Sequence, residues 1–249
     1  MHIVNAPVET HGGWILAIDT SSEQLGVALS DGIATAELAW PAGRRQTTVL
    51  LEAIDGLLCR MSLGLGDLAA IAVAVGPGTF NGLRAGLGTA KGLALGSGLP
   101  LIGVGTLEAT VLPVLVPGRL AVGVVAAGRG RVVSAVFRAA DHRSPAGMAL
   151  PELVAAPHNG SVEELGQRIA GLSGPATLVG EITDAQLATM APALASSDLW
   201  VPPASARARH PGAVAAIGFA RWLVGDVDDP DTLDATYLHS AGRPASPPS

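Results

Sequence analysis

The stretch Gly76–Arg84, with the sequence GPGTFNGLR, has the residue types of an anion-binding loop. An apolar run precedes it and a helical pattern follows it, so backbone N–H groups and the positive end of a helix dipole would converge on one point. Gly76 and Gly78 permit backbone angles closed to other residues, and Pro77 fixes its own φ. These features permit a phosphate or carboxylate site, but the residues alone favour a tight turn with a capped helix and an arginine paired with a nearby acid.

Thr79, Gly82 and Arg84 extend this candidate site into the helix. Thr79 can cap the helix or offer its hydroxyl to an anion. Arg84 lies early in the helix, where the dipole disfavours a cation, so we expect it to face a carboxylate, a phosphate or another chain. The loop is not a P-loop, because no Gly-Lys-Ser/Thr follows, and Asn81 breaks the dinucleotide-binding pattern.

A second candidate site is Asp19-Thr20-Ser21, at the end of the first apolar run. An acid and two hydroxyls at a strand end could hold a Mg²⁺-bound phosphate. The same residues readily form side chain-to-backbone turns, and we favour the turn.

The helix after the loop carries two rows of small residues. One row is Gly82, Gly86, Ala90 and Ala94, and the other is Gly88, Gly92 and Gly96. Interior glycines each cost roughly 0.5–1 kcal/mol relative to alanine, so close packing should compensate them. The helix predicted over 46–61 or a second molecule could supply that contact, and packing on the chain's own sheet is the alternative. Lys91 is either solvated or an interface residue.

The sequence nominates no metal ligands and no catalytic residue. No two of the six histidines have helical i, i+4 spacing, and Cys59 is the single cysteine. A compact zinc site is therefore not expected. The lone cysteine excludes an internal disulfide and is typical of a reducing compartment.

Apolar runs and helical spacings alternate through the chain, which predicts an α/β fold of two lobes. The first lobe should cover 13–112 and the second, smaller one 119–238, with flexible tails at 1–12 and 239–249. Predicted strands are 14–19, 25–29, 33–39, 71–75, 101–104, 120–127, 132–137 and 176–179. Predicted helices are 46–61, 83–95, 107–115 after a Thr106 cap, 161–170 after a Ser161 cap, and 213–224.

Composition narrows the classes of partner. The net charge is −6 and aromatic residues make up 3% of the 249 residues. Binding RNA without help would need clustered cations and stacking aromatics, so any RNA contact should be shared with another protein. The longest charge-free stretches are too short and too rich in Gly and Pro for a membrane span. We expect a cytoplasmic protein.

Three segments together resemble the TsaB (YeaZ) family, which is required to form threonylcarbamoyladenosine in bacterial tRNA. They are Ile18–Ser21, Gly76–Arg84 and Ala90–Ala94, in matching order and spacing, and Ala235–Leu238 resembles the closing segment of the family. The resemblance implies two lobes of the actin/hexokinase/Hsp70 (ASKHA, ribonuclease H-like) type, with mixed sheets opened by antiparallel strands. It also implies a non-catalytic subunit rather than the peptidase of older M22 labels.

The same resemblance implies partners. The family pairs with TsaD, which carries the metal and the active site, and with the ATPase TsaE. ATP or ADP and a metal would belong to the complex and not to this chain alone. The chain would meet tRNA only through the complex and would form a homodimer when isolated.

Pairing in the family uses helices of the first lobe, which predicts the interface residues. They are Leu50, Ile54, Leu57, Leu58, Gly86, Ala90, Lys91, Leu93 and Ala94. The stretch 126–133 departs from the family pattern, and Gln46 stands where the family often has His. The alternative function is a small ASKHA-type, ATP-dependent phosphotransferase that uses Asp19 and the loop Gly76–Gly82.

Overall fold

The computed structural model describes residues 13–238, whose first sheet opens with the predicted antiparallel meander. Its strands are β1 (Trp14–Asp19), β2 (Gln24–Ser30), β3 (Thr35–Pro41), β4 (Leu68–Gly76) and β5 (Leu101–Gly105). Their order is β3-β2-β1-β4-β5, and β1 pairs antiparallel with β2 but parallel with β4. The sheet is therefore mixed, as expected.

Three helices follow these strands in the sequence: α1 (Gln46–Met61), α2 (Phe80–Ser97) and α3 (Thr106–Val111). Side chains alternate across a strand, so Leu16 and Ile18 of β1 face α1 and α2. The bounds predicted for α1 are confirmed. The cap predicted at Thr106 is wrong, because Gly105 is the N-cap and Thr106 is already helical.

The second sheet repeats the mixed arrangement with strands in the order β10-β9-β6-β7-β8. These are β6 (Leu120–Ala126), β7 (Val132–Arg143), β8 (Ala149–Gly160), β9 (Ala176–Gly180) and β10 (Leu199–Trp200). Its helices are α4 (Val162–Ala170), α5 (Asp184–Met190) and α6 (Ala204–Arg207). Ser161 caps α4 as predicted: its Oγ accepts a hydrogen bond from the N–H of Glu164 at 3.2 Å.

The last helix, α7 (Pro211–Trp222), returns to the first sheet. Val214 and Ile217 pack with Ile15 and Ala17, on the face of β1 opposite to α1 and α2. The second lobe was expected to cover 119–238, but α7 lies within that range and packs on the sheet of the first lobe. Spacing predicted the helix, but it carries no information on which sheet the helix covers.

The remaining predictions on chain organisation concern the tails, the bounds of α2, the elements of the second lobe and a membrane span. The tails expected at 1–12 and 239–249 lie outside the described residues. Helix α2 is longer than the predicted 83–95, and β8 and α5 were not predicted. Within residues 13–238, no helix is both long and apolar enough to cross a membrane.

Candidate functional site

The glycine loop after β4 packs directly on the turn after β1. Thr79 N donates a hydrogen bond to Ser21 O at 2.7 Å, and Thr20 Oγ1 donates to Gly82 O at 2.7 Å. A Cβ atom on Gly78 would lie 2.2 Å from Ser21 O, and one on Gly82 would lie 2.0 Å from Thr20 O. Contact between two backbone segments therefore accounts for both glycines.

Gly76 is required for its backbone angle as well as for space. Its φ is 114°, and a Cβ atom there would lie 2.5 Å from Thr236 O. Thr236 N in turn donates to Val75 O at 2.7 Å. Pro77 lines a cavity of about 210 Å³ between the lobes. The loop is thus held between the β1–β2 turn and the closing segment 235–238.

Asp19 forms the turn favoured from its sequence. Its Oδ1 accepts hydrogen bonds from Ser21 N at 2.9 Å and from Ser21 Oγ at 2.5 Å. Its Oδ2 lies 3.3 Å from Arg209 Nε, and the Asp19 side chain is only 6% exposed. Both carboxylate oxygens are therefore engaged inside the protein.

Arg209 is the residue of this region that sequence reasoning missed. Its side chain is 4% exposed, its Nη1 lies 3.3 Å from Glu181 Oε1, and its Nη2 donates to Ser22 Oγ at 2.5 Å. Ser22 is 187 residues away in sequence, so no local pattern signals the contact. We call Asp19, Ser22, Glu181 and Arg209 the Arg209 network.

The Arg209 network does not fit a metal-bound phosphate at Asp19. An added cation would compete with the guanidinium for Oδ2 and with the Ser21 donors for Oδ1. Among residues 13–238, no group of three or more His, Cys, Asp or Glu side chains is arranged to hold a metal ion. The turn, rather than the phosphate site, describes Asp19-Thr20-Ser21.

Arg84 faces an aromatic ring and an open cleft. Its guanidinium carbon lies 4.3 Å from the centre of the Phe80 ring, and that ring lies 5.4 Å from the ring of Tyr237. Arg84 and Thr79 also line a cleft of about 710 Å³ at the N-termini of α1 and α2. Thr79 occupies the N-cap position of α2, but its side chain makes no capping hydrogen bond.

Most of the predicted interface residues lie in the protein's own core. Buried there are Leu50, Ile54, Leu57, Leu58, Gly86, Ala90 and Ala94. A Cβ atom on Gly86 would meet Thr20 Oγ1 at 2.3 Å, so this row of α2 packs on its own lobe. Their prediction as contact residues is wrong, because helical spacing marks an apolar face without showing what covers it. Lys91 and Leu93 are partly exposed.

The other row of small residues faces solvent. A Cβ atom on Gly88, Gly92 or Gly96 would meet nothing within 4 Å. On the same two helices, Leu51 of α1 is 59% exposed and Leu95 of α2 is 67% exposed. We call these five residues the open helical face.

The stretch 126–133 forms the turn between β6 and β7. Gly128, Arg129 and Gly130 all have positive φ, and Ala127 N donates to Arg131 O at 2.9 Å. Arg131 Nε donates a hydrogen bond to Asn159 Oδ1 at 3.0 Å. This contact fixes Arg131, one of the two arginines of the stretch 126–133, against β8.

A family model and a solved structure match this chain. The family model described as "TsaD: tRNA N6-adenosine threonylcarbamoyltransferase" matches residues 41–165, half of the chain. YeaZ from Pseudomonas aeruginosa superimposes with a TM-score of 0.70 at 20% identity, over 91% of this chain and 100% of that one. The fold is therefore that of YeaZ, with two α/β lobes that each have a mixed five-stranded sheet, as the resemblance implied.

Curated relatives that are named TsaB match part of the chain. TsaB of Escherichia coli is 45% identical over 94 residues, which cover 37% of this chain and 40% of that protein. TsaB of Bacillus subtilis is 37% identical over 95 residues, or 38% of this chain and 42% of that protein. Both are described as tRNA threonylcarbamoyladenosine biosynthesis proteins, and each match spans less than half of the relative's length. The chain therefore belongs to the TsaD-like family, and about two fifths of its length is similar to TsaB proteins.

Proposed function

We propose that this chain is a non-catalytic subunit of the cytoplasmic assembly that forms threonylcarbamoyladenosine in tRNA. It pairs with a TsaD-like catalytic subunit, works with a TsaE-like ATPase, and meets tRNA only through the complex. Similarity to TsaB proteins supports this proposal, together with an acidic chain that lacks a run of basic residues.

The observation that carries the proposal is the open helical face. Three glycines exposed on one helix each cost roughly 0.5–1 kcal/mol relative to alanine, and solvent returns nothing for that cost. Packing by a partner helix would compensate that cost, because glycine lets its backbone approach closely and the exposed Leu51 and Leu95 offer apolar contacts. We propose that the TsaD-like subunit covers this face, and that a second copy covers it in an isolated homodimer.

The state of Asp19 supports a subunit without its own chemistry. A phosphotransferase would need this carboxylate free, whereas Ser21 and Arg209 engage both of its oxygens. ATP or ADP and the metal therefore belong, in this proposal, to the partner subunits.

Reconstitution tests the function. The purified TsaD-like and TsaE-like proteins of the same genome are incubated with tRNA, the substrates and ATP, with and without this chain. We expect modification only when the chain is present. Equal modification without it would refute the proposal, and ATP hydrolysis by the chain alone that Asp19→Asn abolishes would support the phosphotransferase instead.

A substitution on the open helical face tests the interface. Leu95→Asp should weaken binding to the TsaD-like subunit at least about tenfold, since burying a leucine stabilises by roughly 1.5–3 kcal/mol. Leu153→Asp is the matched control, because Leu153 is 52% exposed on β8 of the other lobe. Calorimetric titration of both variants measures the affinities. Unchanged binding by Leu95→Asp would exclude this face as the contact.

A further inference from the structure

The two lobes are joined by a continuous series of polar contacts through Arg209. In the second lobe, Ala126 N donates a hydrogen bond to Glu181 Oε2 at 2.9 Å. The other oxygen of Glu181 lies 3.3 Å from Arg209 Nη1, and Arg209 Nε lies 3.3 Å from Asp19 Oδ2 in the first lobe. One guanidinium thus contacts a carboxylate from each lobe.

In the first lobe, these contacts reach the N-termini of α1 and α2. Arg209 Nη2 donates to Ser22 Oγ, and the backbone oxygen of Ser22 accepts a hydrogen bond from the buried Gln46 side chain, in the first turn of α1. The neighbouring oxygen of Ser21 accepts from Thr79 N at 2.7 Å, at the N-cap of α2. The turn that Arg209 holds is therefore the turn on which α1 and α2 begin.

Arg209 depends on these two carboxylates for its position. Its Nε and Nη1 atoms are buried and make no hydrogen bond to any described residue, so the charges of Asp19 and Glu181 are what they face. Glu181 is the accessible member of the network, at 29% exposure against 6% for Asp19. Coulomb attraction is stronger in this interior than in water, which makes the position of the guanidinium sensitive to either carboxylate.

We infer that Arg209 is a positioning residue that lets the second lobe fix the start of α1 and α2, and with them the open helical face. Loss of the Glu181 charge leaves Arg209 attracted to Asp19 alone and releases the β1–β2 turn from the second lobe. The N–H groups of the α2 start then open more often. This behaviour belongs to the isolated chain, so it does not depend on the proposed partner.

Hydrogen–deuterium exchange of the isolated full chain tests the inference. Glu181→Gln keeps the size of the side chain and its oxygen for Ala126 N, but it removes the charge. We expect the hydrogen-bonded amides of Thr79 and Leu83 to exchange about tenfold faster, because one carboxylate facing the buried guanidinium has lost its charge. The amides of α4, in the same lobe as the substitution, should keep their rates.

Asp184→Asn is the matched control, because Asp184 pairs with Arg207 at 3.2 Å and is itself 93% exposed. It should leave the exchange of the Thr79 and Leu83 amides unchanged. Unchanged exchange in Glu181→Gln, or an equal increase in both variants or in α4, would overturn the inference. Glu181 is a sharper position than Arg209, because removal of Arg209 would leave Asp19 buried without a counter-charge and would strongly destabilise the fold.

Discussion

The same substitution at two positions of α2 should change stability in opposite directions. Gly82→Ala introduces a Cβ atom 2.0 Å from the backbone oxygen of Thr20, whereas Gly88→Ala introduces one that meets nothing within 4 Å. Both exchange glycine for alanine in one helix, so their difference isolates the contact between α2 and the β1–β2 turn.

The magnitudes follow from these contacts. Gly88→Ala should stabilise by roughly 0.5–1 kcal/mol, since alanine loses less backbone entropy in a helix. At Gly82, overpacking costs about 1–3 kcal/mol. Displacing the hydrogen bond from Thr20 Oγ1 to Gly82 O adds about 1 kcal/mol. After the helical gain is subtracted, Gly82→Ala should destabilise by about 2 kcal/mol.

Urea unfolding at constant pH measures both effects. The midpoint should rise for Gly88→Ala and fall for Gly82→Ala, while the slope with urea stays the same because the surface exposed on unfolding does not change. If Gly82→Ala were as stable as the wild type, the backbone contact would not explain this glycine. An anion site at the loop would then regain support.

Two further predictions concern the backbone and the pH dependence of stability. Gly76→Ala should destabilise by about 2 kcal/mol, because it combines a strained positive φ with a clash at Thr236 O, and urea unfolding measures it. Gly98→Ala is its control, with a φ of 66° in open space, and should cost only about 1 kcal/mol. The hydrogen bond from Ser161 N lowers the pKa of Glu164 below its usual 4.5, so this carboxylate stabilises the fold above that pH and loses the contribution as the pH falls through the lowered value. Glu164→Gln should flatten that part of the curve of unfolding free energy against pH, and an unchanged curve would contradict the assignment.

Local patterns predicted the elements that have a regular apolar face. Leu50, Ile54, Leu57 and Leu58 repeat at helical spacing, and α1 has the bounds that this spacing indicates. Strand β8 escaped prediction because only one of its twelve residues is buried, so its sequence has no apolar alternation. It forms because β7 offers a hydrogen-bonding edge, and a partner strand is not a local property.

The candidate site shows where sequence reasoning ends. The glycines of the loop drew attention as parts of an anion site, whereas the structure places a backbone oxygen 2.0–2.5 Å from where each of their Cβ atoms would lie. Arg209 could not be predicted, because its partners Asp19 and Glu181 come from different lobes. The buried row of α2 was predicted as an interface because the sequence does not distinguish a sheet from a partner as the covering surface.

The two glycine rows of α2 therefore have different structural roles. On the inner row, Gly82 and Gly86 leave room for Thr20 of the same chain, so their requirement is met as soon as the protein folds. On the outer row, Gly88 and Gly92 have open space, and nothing in the described residues repays their cost in helix stability. A glycine that folding does not require points to an event after folding, and close approach by a second protein is the event that this geometry favours. If Gly88→Ala stabilises the isolated chain yet weakens its pairing, the cost and its compensation will have been measured at the same residue.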